Sequence, residues 1–220
     1  VSVVGRYPAG VAGLSVTRYL LDAWLLDQAR LAGVMVEEGV VVRGPALGSG
    51  AVLGVRVATA SGEREHRARL VVGCDGRASV LARACGLAAT PASPRRWAFG
   101  AYVHDVHGVD PAFGEMHVRA GSYLGIAPVA GGLSNVCLVL PRLRAANAVA
   151  RPWDAIREAV AADALLRDRF VDVRLASRPV VLGPVAVDVS RAGVPGMLLA
   201  GDASGFVDPM TGDGLRLAID

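Results

Sequence analysis

One stretch near the end of the chain decides the fold: Met197-Leu-Leu-Ala-Gly-Asp-Ala-Ser-Gly-Phe-Val-Asp-Pro-Met-Thr-Gly-Asp-Gly-Leu215. It places a carboxylate, Asp202, directly after an apolar strand, and a loop rich in glycine and proline then leads into a helix. A carboxylate accepts hydrogen bonds from sugar hydroxyls, and the glycines permit close approach of the backbone. The backbone N–H groups of Thr211, Gly212 and Gly214 suit an electron-rich oxygen or a developing anion. The stretch therefore predicts a ligand-binding strand–loop–helix corner of an α/β protein.

Composition and charge exclude several classes of protein. The chain has 220 residues, 53% of them hydrophobic and 20% charged, which excludes a collagen-like, disordered or disulfide-rich protein. The basic residues are all arginine and are scattered, and the net charge is only +3, so we expect no nucleic-acid partner. No apolar run approaches the ~20 residues of a transmembrane span, whereas peripheral contact with a membrane stays open. Three cysteines without C-x-x-C spacing indicate a reducing, cytoplasmic setting.

The rest of the chain predicts an α/β unit that is interrupted by an antiparallel sheet. We expect residues 1–90 to form the first part of one domain, residues 91–180 an inserted sheet with a helix, and residues 181–220 the return segment. Residues 90–96 have the composition of a linker. Helices are predicted over residues 18–32, up to about Cys85, over 153–169 and from about Gly214. Strands are predicted at residues 34–36, 40–42, 52–59, 63–72, 180–189 and 197–200, with an antiparallel meander within 97–140.

In the stretch quoted above, the chain resembles the second FAD-binding motif of glutathione-reductase-type flavoproteins. It is closest to the geranylgeranyl-reductase-like branch, because aromatic hydroxylases usually carry Ala-His after the aspartate, whereas here Ser204-Gly205 follows Ala203. In that family the matching aspartate contacts the ribityl and pyrophosphate region of FAD, and the following loop lies beside the isoalloxazine ring. The resemblance implies cofactor-binding roles for Gly201, Asp202, Pro209, Thr211, Gly212 and Gly214.

Two further segments resemble motifs of the same family. Ala68-Arg-Leu-Val-Val-Gly-Cys-Asp-Gly-Arg-Ala-Ser79 is similar to its Asp-Gly motif, which implies that Asp75 and Gly76 help to position the diphosphate–ribose side of FAD. Taken alone, this segment is equally compatible with an ordinary turn. Together with the motif at Asp202, it predicts that residues 70–72 and 197–200 form parallel strands of one sheet, with Asp75 and Asp202 at their carboxyl ends on the same side. Arg18 matches an arginine that commonly reaches the FAD phosphates or ribityl chain, although an arginine in the first turn of a helix is also commonly solvated.

Other patterns in the sequence have simpler interpretations than the chemistry they suggest. The glycines of residues 48–54 mimic a dinucleotide fingerprint, but a strand follows them instead of a helix, so a hairpin is expected. Residues 123–128 lack both tryptophans of the flavin-halogenase signature, which disfavours a halogenase. Four polar side chains suggest a metal site but fit an exposed sheet face better, and one of the histidines remains a candidate for the substrate cavity. These four are His104, Asp105, His107 and His117.

The resemblance covers nearly the whole chain but not the whole family. The strand–GxGxxG–helix with which those proteins open is missing, so we expect the middle of a longer flavoprotein. The predicted fold is a partial FAD-binding three-layer β/β/α domain with an inserted, mainly antiparallel substrate sheet. The predicted function is an FAD-dependent oxidoreductase for an apolar, isoprenoid or lipid-like molecule. An NAD(P)H-dependent monooxygenase and a non-catalytic remnant are the alternatives, NAD(P)H is a candidate electron donor, and no catalytic residue or metal is assigned.

Overall fold

The computed structural model describes residues 2–93, 95–212 and 214–219. Pro94 of the predicted linker and Asp213 of the glycine-rich loop lie outside the described residues. The chain has a mixed α/β structure, as its sequence predicts, with one six-stranded sheet and several smaller ones. The boundaries at residues 90/91 and 180/181 and the three-layer arrangement stay predictions. No helix in these residues is long and apolar enough to cross a membrane.

The first helix follows from its sequence, but the segment after it does not form the predicted strand. Helix α1 (Arg18–Leu31) begins at Thr17, whose hydroxyl accepts a backbone hydrogen bond of 3.4 Å. It ends before Gly33, which adopts a φ of 85°. The strand predicted at residues 34–36 is wrong, because this segment is irregular and largely exposed, with Met35 95% exposed.

The first sheet is an antiparallel meander. Ser49 and Gly50 join its first two strands with φ values of 52° and 76°, which are typical of a two-residue hairpin turn. The hairpin predicted at residues 48–54 is therefore confirmed. The strands of this sheet are β1 (Val41–Gly48), β2 (Ala51–Thr59) and β3 (Gly62–Arg67).

A parallel pair of strands joins residues 71–73 to residues 197–199, as predicted. Strand β4 (Val71–Gly73) pairs in parallel with a strand at Met197–Leu199, which also pairs with the short strand Gly193–Val194. The single strand predicted over residues 63–72 is thus divided, because β3 and β4 belong to different sheets. Since the carboxyl ends of parallel strands meet at one edge, the segments that follow the two strands leave the sheet on the same side.

This parallel pair is buried on one face only. Val71 and Met197 are 8% and 0% exposed and pack against α2 (Val80–Ala84), whereas Val72 and Leu198 are 52% and 50% exposed. Burial on both faces, which the apolar run ending at Val72 predicts, is therefore wrong. Helix α2 covers one face, and no described residue buries the other.

The antiparallel sheet predicted within residues 97–140 is confirmed and is larger than expected. Short strands at Arg174–Leu175 and Val180–Leu182 extend it by pairing with its first strand. The strand Ala88–Ala89 (β5) precedes it and pairs with Asp188–Val189, so the strand predicted over residues 180–189 is also divided. The four long strands are β6 (Arg96–His104), β7 (Glu115–Arg119), β8 (Ser122–Val129) and β9 (Leu133–Pro141). The short strands are numbered β10 (Arg174–Leu175), β11 (Val180–Leu182), β12 (Asp188–Val189), β13 (Gly193–Val194) and β14 (Met197–Leu199).

Side-chain alternation gives the large sheet two different faces. One, the helix face, packs against α3 (Arg142–Ala148) and α4 (Pro152–Ala161). The other, the loop face, packs against Val185 and Phe206, which come from the segment that leads to the glycine-rich loop. The helix face consists of Phe99, Ala101, Val103, Leu124, Ile126, Val136, Leu138 and Leu140. The loop face consists of Ala98, Gly100, Tyr102, Tyr123, Gly125, Cys137 and Val139.

The helix predicted over residues 153–169 is shorter than expected. Helix α4 ends at Ala161, and the carboxylate of Asp163 then accepts a hydrogen bond of 2.9 Å from the N–H of Leu165. This turn breaks the helical pattern before a 3₁₀ helix at Arg167–Phe170. Helix α3 was not predicted from the sequence.

Candidate functional site

Asp202 lies at the edge where the parallel strands end. It belongs to a 3₁₀ helix, Gly201–Ser204, that follows β14. Its half-buried carboxylate faces the start of helix α5 (Gly214–Ile219), since a Cβ on Gly214 would lie 3.9 Å from Oδ1. In residues 2–93, 95–212 and 214–219 no hydrogen-bond donor reaches this carboxylate. A half-buried acceptor without a protein donor is available to a hydroxyl group of a ligand.

Gly201 has a backbone conformation that most other residues avoid. It adopts a φ of 57°, a conformation that favours glycine. A Cβ at this position would lie 3.5 Å from the Cβ of Ala218 in α5. This is an ordinary van der Waals distance, so the backbone conformation, and not the space beside α5, favours glycine here.

The loop that follows Asp202 is fixed at two points. Phe206 and Val187 exchange backbone hydrogen bonds of 2.8 and 3.0 Å. A 3₁₀ turn at Pro209–Thr211 then ends at Gly212, whose N–H donates to the carbonyl of Pro209 (3.1 Å). The N–H of Gly212 is therefore engaged within the loop and is not free for a ligand, contrary to the expectation from the sequence.

Asp75 lies at the same edge of the sheet, after β4, and its carboxylate caps α2. Its Oδ2 accepts hydrogen bonds from the N–H groups of Val80 (2.9 Å) and Leu81 (3.5 Å). Gly76 follows with a φ of 74°. The motif is thus held rigidly against α2, and the parallel pairing brings it to the edge that also carries Asp202.

Arg18 is solvated in this structure. Its guanidinium forms a bidentate pair with Asp22 (3.0 and 3.1 Å), and its side chain is 69% exposed. Its backbone N–H donates to the hydroxyl of Tyr102 (3.4 Å), so the start of α1 lies beside the loop face. A contact between this guanidinium and a cofactor stays a prediction.

Sequence reasoning missed a polar cluster that joins the loop to the large sheet. The carboxylate of Asp208 accepts a hydrogen bond from Arg96 (2.7 Å) and another from the hydroxyl of Tyr123. Burial, followed by the hydrogen bond to Asp208, raises the pKa of Tyr123 well above its usual value, so the hydroxyl stays protonated. Asp208 lies 112 residues from Arg96 and 85 from Tyr123, so no local spacing could have indicated this contact.

A cavity of about 650 Å³ lies between the helix face and helices α3 and α4. Its floor is apolar, with Leu124, Leu138 and Leu166, and its rim mixes arginines with carboxylates. The cavity lies on the helix-face side of the sheet, and most of the loop-face residues lie on the other side. Neither Asp75 nor Asp202 lines it. We therefore do not assign it to the site at the edge of the parallel strands.

The expected position of His117 on an exposed sheet face is wrong. His117 lines this cavity and is only 16% exposed, because the polar residues of β7 point to the helix face while Met116 and Val118 point away from it. His117 pairs with Glu115 (2.9 Å). In the described residues no group of His, Cys, Asp and Glu side chains is arranged to hold a metal ion.

Glu115 is held by an ion pair that makes stability depend on pH. Arg169 contacts both of its carboxylate oxygens, at 2.6 and 2.7 Å. The hydrogen bond from Arg169 is the main cause of a lowered pKa for Glu115. The folded-state pKa therefore lies below the unfolded value of about 4.3, so the pair stabilises the fold above that pH and is lost as the pH falls through the folded-state pKa.

We expect Glu115→Gln to lower the free energy of unfolding at neutral pH, because the variant keeps the size of the side chain and loses its charge. The difference from the unsubstituted protein should shrink as the pH falls below about 4. Urea unfolding at several pH values measures it, with Glu63→Gln on the exposed strand β3 as the control. A difference that stays constant down to acid pH would show that the carboxylate charge contributes nothing.

The fold is of the mixed α/β class, in which open sheets commonly bind ligands at the carboxyl ends of their parallel strands. The chain belongs to the family described as the FAD binding domain, which matches residues 8–220. FAD is therefore the cofactor of this fold, and the half-buried, unsatisfied carboxylate of Asp202 fits a molecule that carries sugar hydroxyls.

Relatives and solved structures agree with this assignment. Digeranylgeranylglycerophospholipid reductase 2 of Methanopyrus kandleri is 32% identical over 224 residues, which cover 94% of this chain and 53% of that protein. A geranylgeranyl bacteriochlorophyll reductase-like protein from Thermoplasma acidophilum has a TM-score of 0.76 at 21% identity, covering 92% of this chain and 51% of that one. The flavin-dependent halogenase CmlS has a TM-score of 0.82 at 21% identity, covering 92% of this chain and 38% of that one.

These comparisons confirm the predicted resemblance to geranylgeranyl-reductase-like flavoproteins. The likeness to the two solved structures, at 21% identity, shows the fold alone. The chain spans about half the length of the curated relatives that it matches.

Proposed function

We propose that the full-length protein is an FAD-dependent oxidoreductase that acts on an apolar, isoprenoid or lipid-like small molecule. The observation that carries the proposal is the parallel pairing of β4 and β14, which brings both aspartate motifs to one edge of a sheet. The names of the relatives support a reductase of isoprenoid lipids within this class.

The residues at this edge divide between the parts of the cofactor. Asp202 and Gly201 bind the ribityl and pyrophosphate region, where the carboxylate accepts a hydrogen bond from a hydroxyl group. Asp75 and Gly76 position the diphosphate–ribose side. Pro209 begins the loop beside the isoalloxazine ring, which supplies the hydride or electron transfer when FAD is bound. This loop also includes Thr211, Gly212 and Gly214, and Arg18 is proposed to reach the phosphates.

The loop face provides a wall for an apolar substrate. Gly100, Cys137 and Gly125 lie side by side across three neighbouring strands. A Cβ on Gly100 would have no neighbour closer than the carbonyl oxygen of Val136 at 3.9 Å, so there is free space above this part of the sheet. A substrate held between this face and the loop at residues 209–212 would meet apolar and small side chains, which exclude water from the reacting atoms.

Reductase activity is distinguished from the alternatives by one anaerobic and one aerobic assay. The purified full-length protein is reduced with NADPH or dithionite, and a geranylgeranyl lipid is then added without oxygen. We expect reoxidation of the flavin together with loss of a double bond from the lipid. Reoxidation only in air, with a hydroxylated product, would instead establish the monooxygenase. A protein that holds no FAD would be the non-catalytic remnant.

A further inference from the structure

We propose that Arg96, Tyr123 and Asp208 form a positioning clasp that sets the distance between the loop at residues 209–212 and the loop face of the large sheet. The clasp thereby fixes the flavin ring relative to the substrate wall and tunes the charge beside the ring. This inference rests on the function proposed above. Arg96 and Tyr123 lie outside the motifs that resemble those of flavoproteins, and Asp208 lies within one of them but is not among its residues with an expected cofactor contact.

The geometry of the clasp joins three separate segments at one carboxylate. Oδ2 of Asp208 accepts from Nη1 of Arg96 at 2.7 Å, and Oδ1 accepts from the hydroxyl of Tyr123. Oδ1 also accepts from the backbone N–H of Met210 at 3.1 Å. Arg96 begins β6 and Tyr123 lies at the start of β8, so the carboxylate ties two strands of the sheet to the first turn of the loop.

Burial makes this contact stronger than an ion pair on the surface. The side chain of Asp208 is 17% exposed and that of Arg96 is 33% exposed. Tyr123 is 5% exposed and packs with Val139 and Val185. Charge-assisted hydrogen bonds that are partly shielded from water are stronger than exposed ones, so the cluster restrains the loop as well as contacting it.

A second contact, between the backbones of Phe206 and Val187, holds the chain just before the clasp. The clasp then determines the direction of the loop that follows. The backbone exchange between Phe206 and Val187 fixes the chain two residues before Asp208. The N–H of Gly212 closes the turn on Pro209. Phe206 and Asp208 are both held, and Gly212 closes the turn at Pro209–Thr211 that follows them, so this turn has little freedom of its own. Its distance from the loop face is then set by the length of the side chains in the clasp.

The test uses the full-length protein with FAD and two conservative substitutions. Asp208→Asn keeps the shape of the side chain and removes its charge, and Tyr123→Phe removes a single oxygen atom. Asp105→Asn is the matched control, because Asp105 pairs with Arg174 (2.7 Å) on the same sheet at an exposed position away from the loop. For each protein we would measure the dissociation constant of FAD and the ratio of oxidised to reduced flavin at a fixed solution potential.

We expect Asp208→Asn to shift this ratio toward reduced flavin by about threefold or more, which corresponds to ~15 mV for a two-electron couple. The cause is the uncompensated charge of Arg96, which favours the electron-rich reduced ring. Tyr123→Phe should bind FAD within about threefold of the unsubstituted affinity, change the same ratio, and speed the hydrogen exchange of the Met210 amide. Asp105→Asn should change none of these quantities.

The outcomes separate the clasp from the proposed function. If FAD binds and neither substitution changes the flavin ratio, the clasp positions nothing at the ring, while the function stands. An equal shift of the flavin ratio in Asp105→Asn would also overturn the clasp. The shift would then follow from the loss of any negative charge on the protein, and not from the position of Asp208. If Asp208→Asn does not fold, Tyr123→Phe alone decides. A full-length protein that binds no FAD overturns both proposals.

Discussion

Asp202→Ala is expected to weaken FAD binding by the full-length protein roughly 10- to 150-fold. A hydrogen bond to a charged group contributes about 1.5–3 kcal/mol. Among the described residues no donor contacts this carboxylate, so its removal leaves none of them unpaired. The substitution should therefore cost cofactor affinity and little stability. Titration of the cofactor-free protein with FAD, followed by flavin fluorescence, measures the change.

Asp168→Ala is the matched control for this experiment. Like Asp202, Asp168 lies in the first turn of a 3₁₀ helix, but its side chain is 89% exposed and remote from the edge of the parallel strands. The Asp168→Ala variant should bind FAD with the affinity of the unsubstituted protein. Equal affinities for all three proteins would remove Asp202 from the cofactor site.

Phe99→Ala is expected to lower the free energy of unfolding by about 3–5 kcal/mol, which is the usual cost of removing a buried phenylalanine. Phe99 is fully buried on the helix face, against the core that includes Ile156. The free energy of unfolding of a typical domain is only about 5–15 kcal/mol. This loss would therefore be visible as a large shift of the urea midpoint.

The same variant separates stability from cofactor binding. Phe99 points away from the loop face, so the folded fraction of Phe99→Ala should retain its affinity for FAD at low temperature. Leu143→Ala on helix α3, where the side chain is 91% exposed, should change stability by less than about 0.5 kcal/mol. A Phe99→Ala protein as stable as this control would contradict the assigned core.

The parts of the fold that the sequence predicted correctly are those that depend on local patterns. Helix α1 follows from its apolar spacing and its cap at Thr17. The parallel pairing of β4 with β14 followed from two motifs that occur at the ends of apolar strands. The antiparallel meander within residues 97–140 was likewise predicted correctly, and Phe99, Ala101 and Val103 alternate onto its buried helix face.

The parts that could not be predicted depend on distant partners. Nothing near Asp208 in the sequence indicates Arg96 or Tyr123, because the three meet only when the loop folds onto the sheet. Glu115 and His117 point toward the helices because Arg169, far along the chain, neutralises Glu115 there. The exposed Met35 shows the converse, because an apolar run forms no strand without a partner strand to pair with.

The most direct test of the central claim is a crystal structure of the full-length protein with FAD. We predict that the carboxylate of Asp202 accepts a hydrogen bond of about 2.5–3.0 Å from a hydroxyl of the cofactor, with Asp75 on the diphosphate–ribose side and the ring beside residues 209–212. FAD bound instead in the cavity between the helix face and α4, or bound without contact to Asp202, would contradict the assignment of the site.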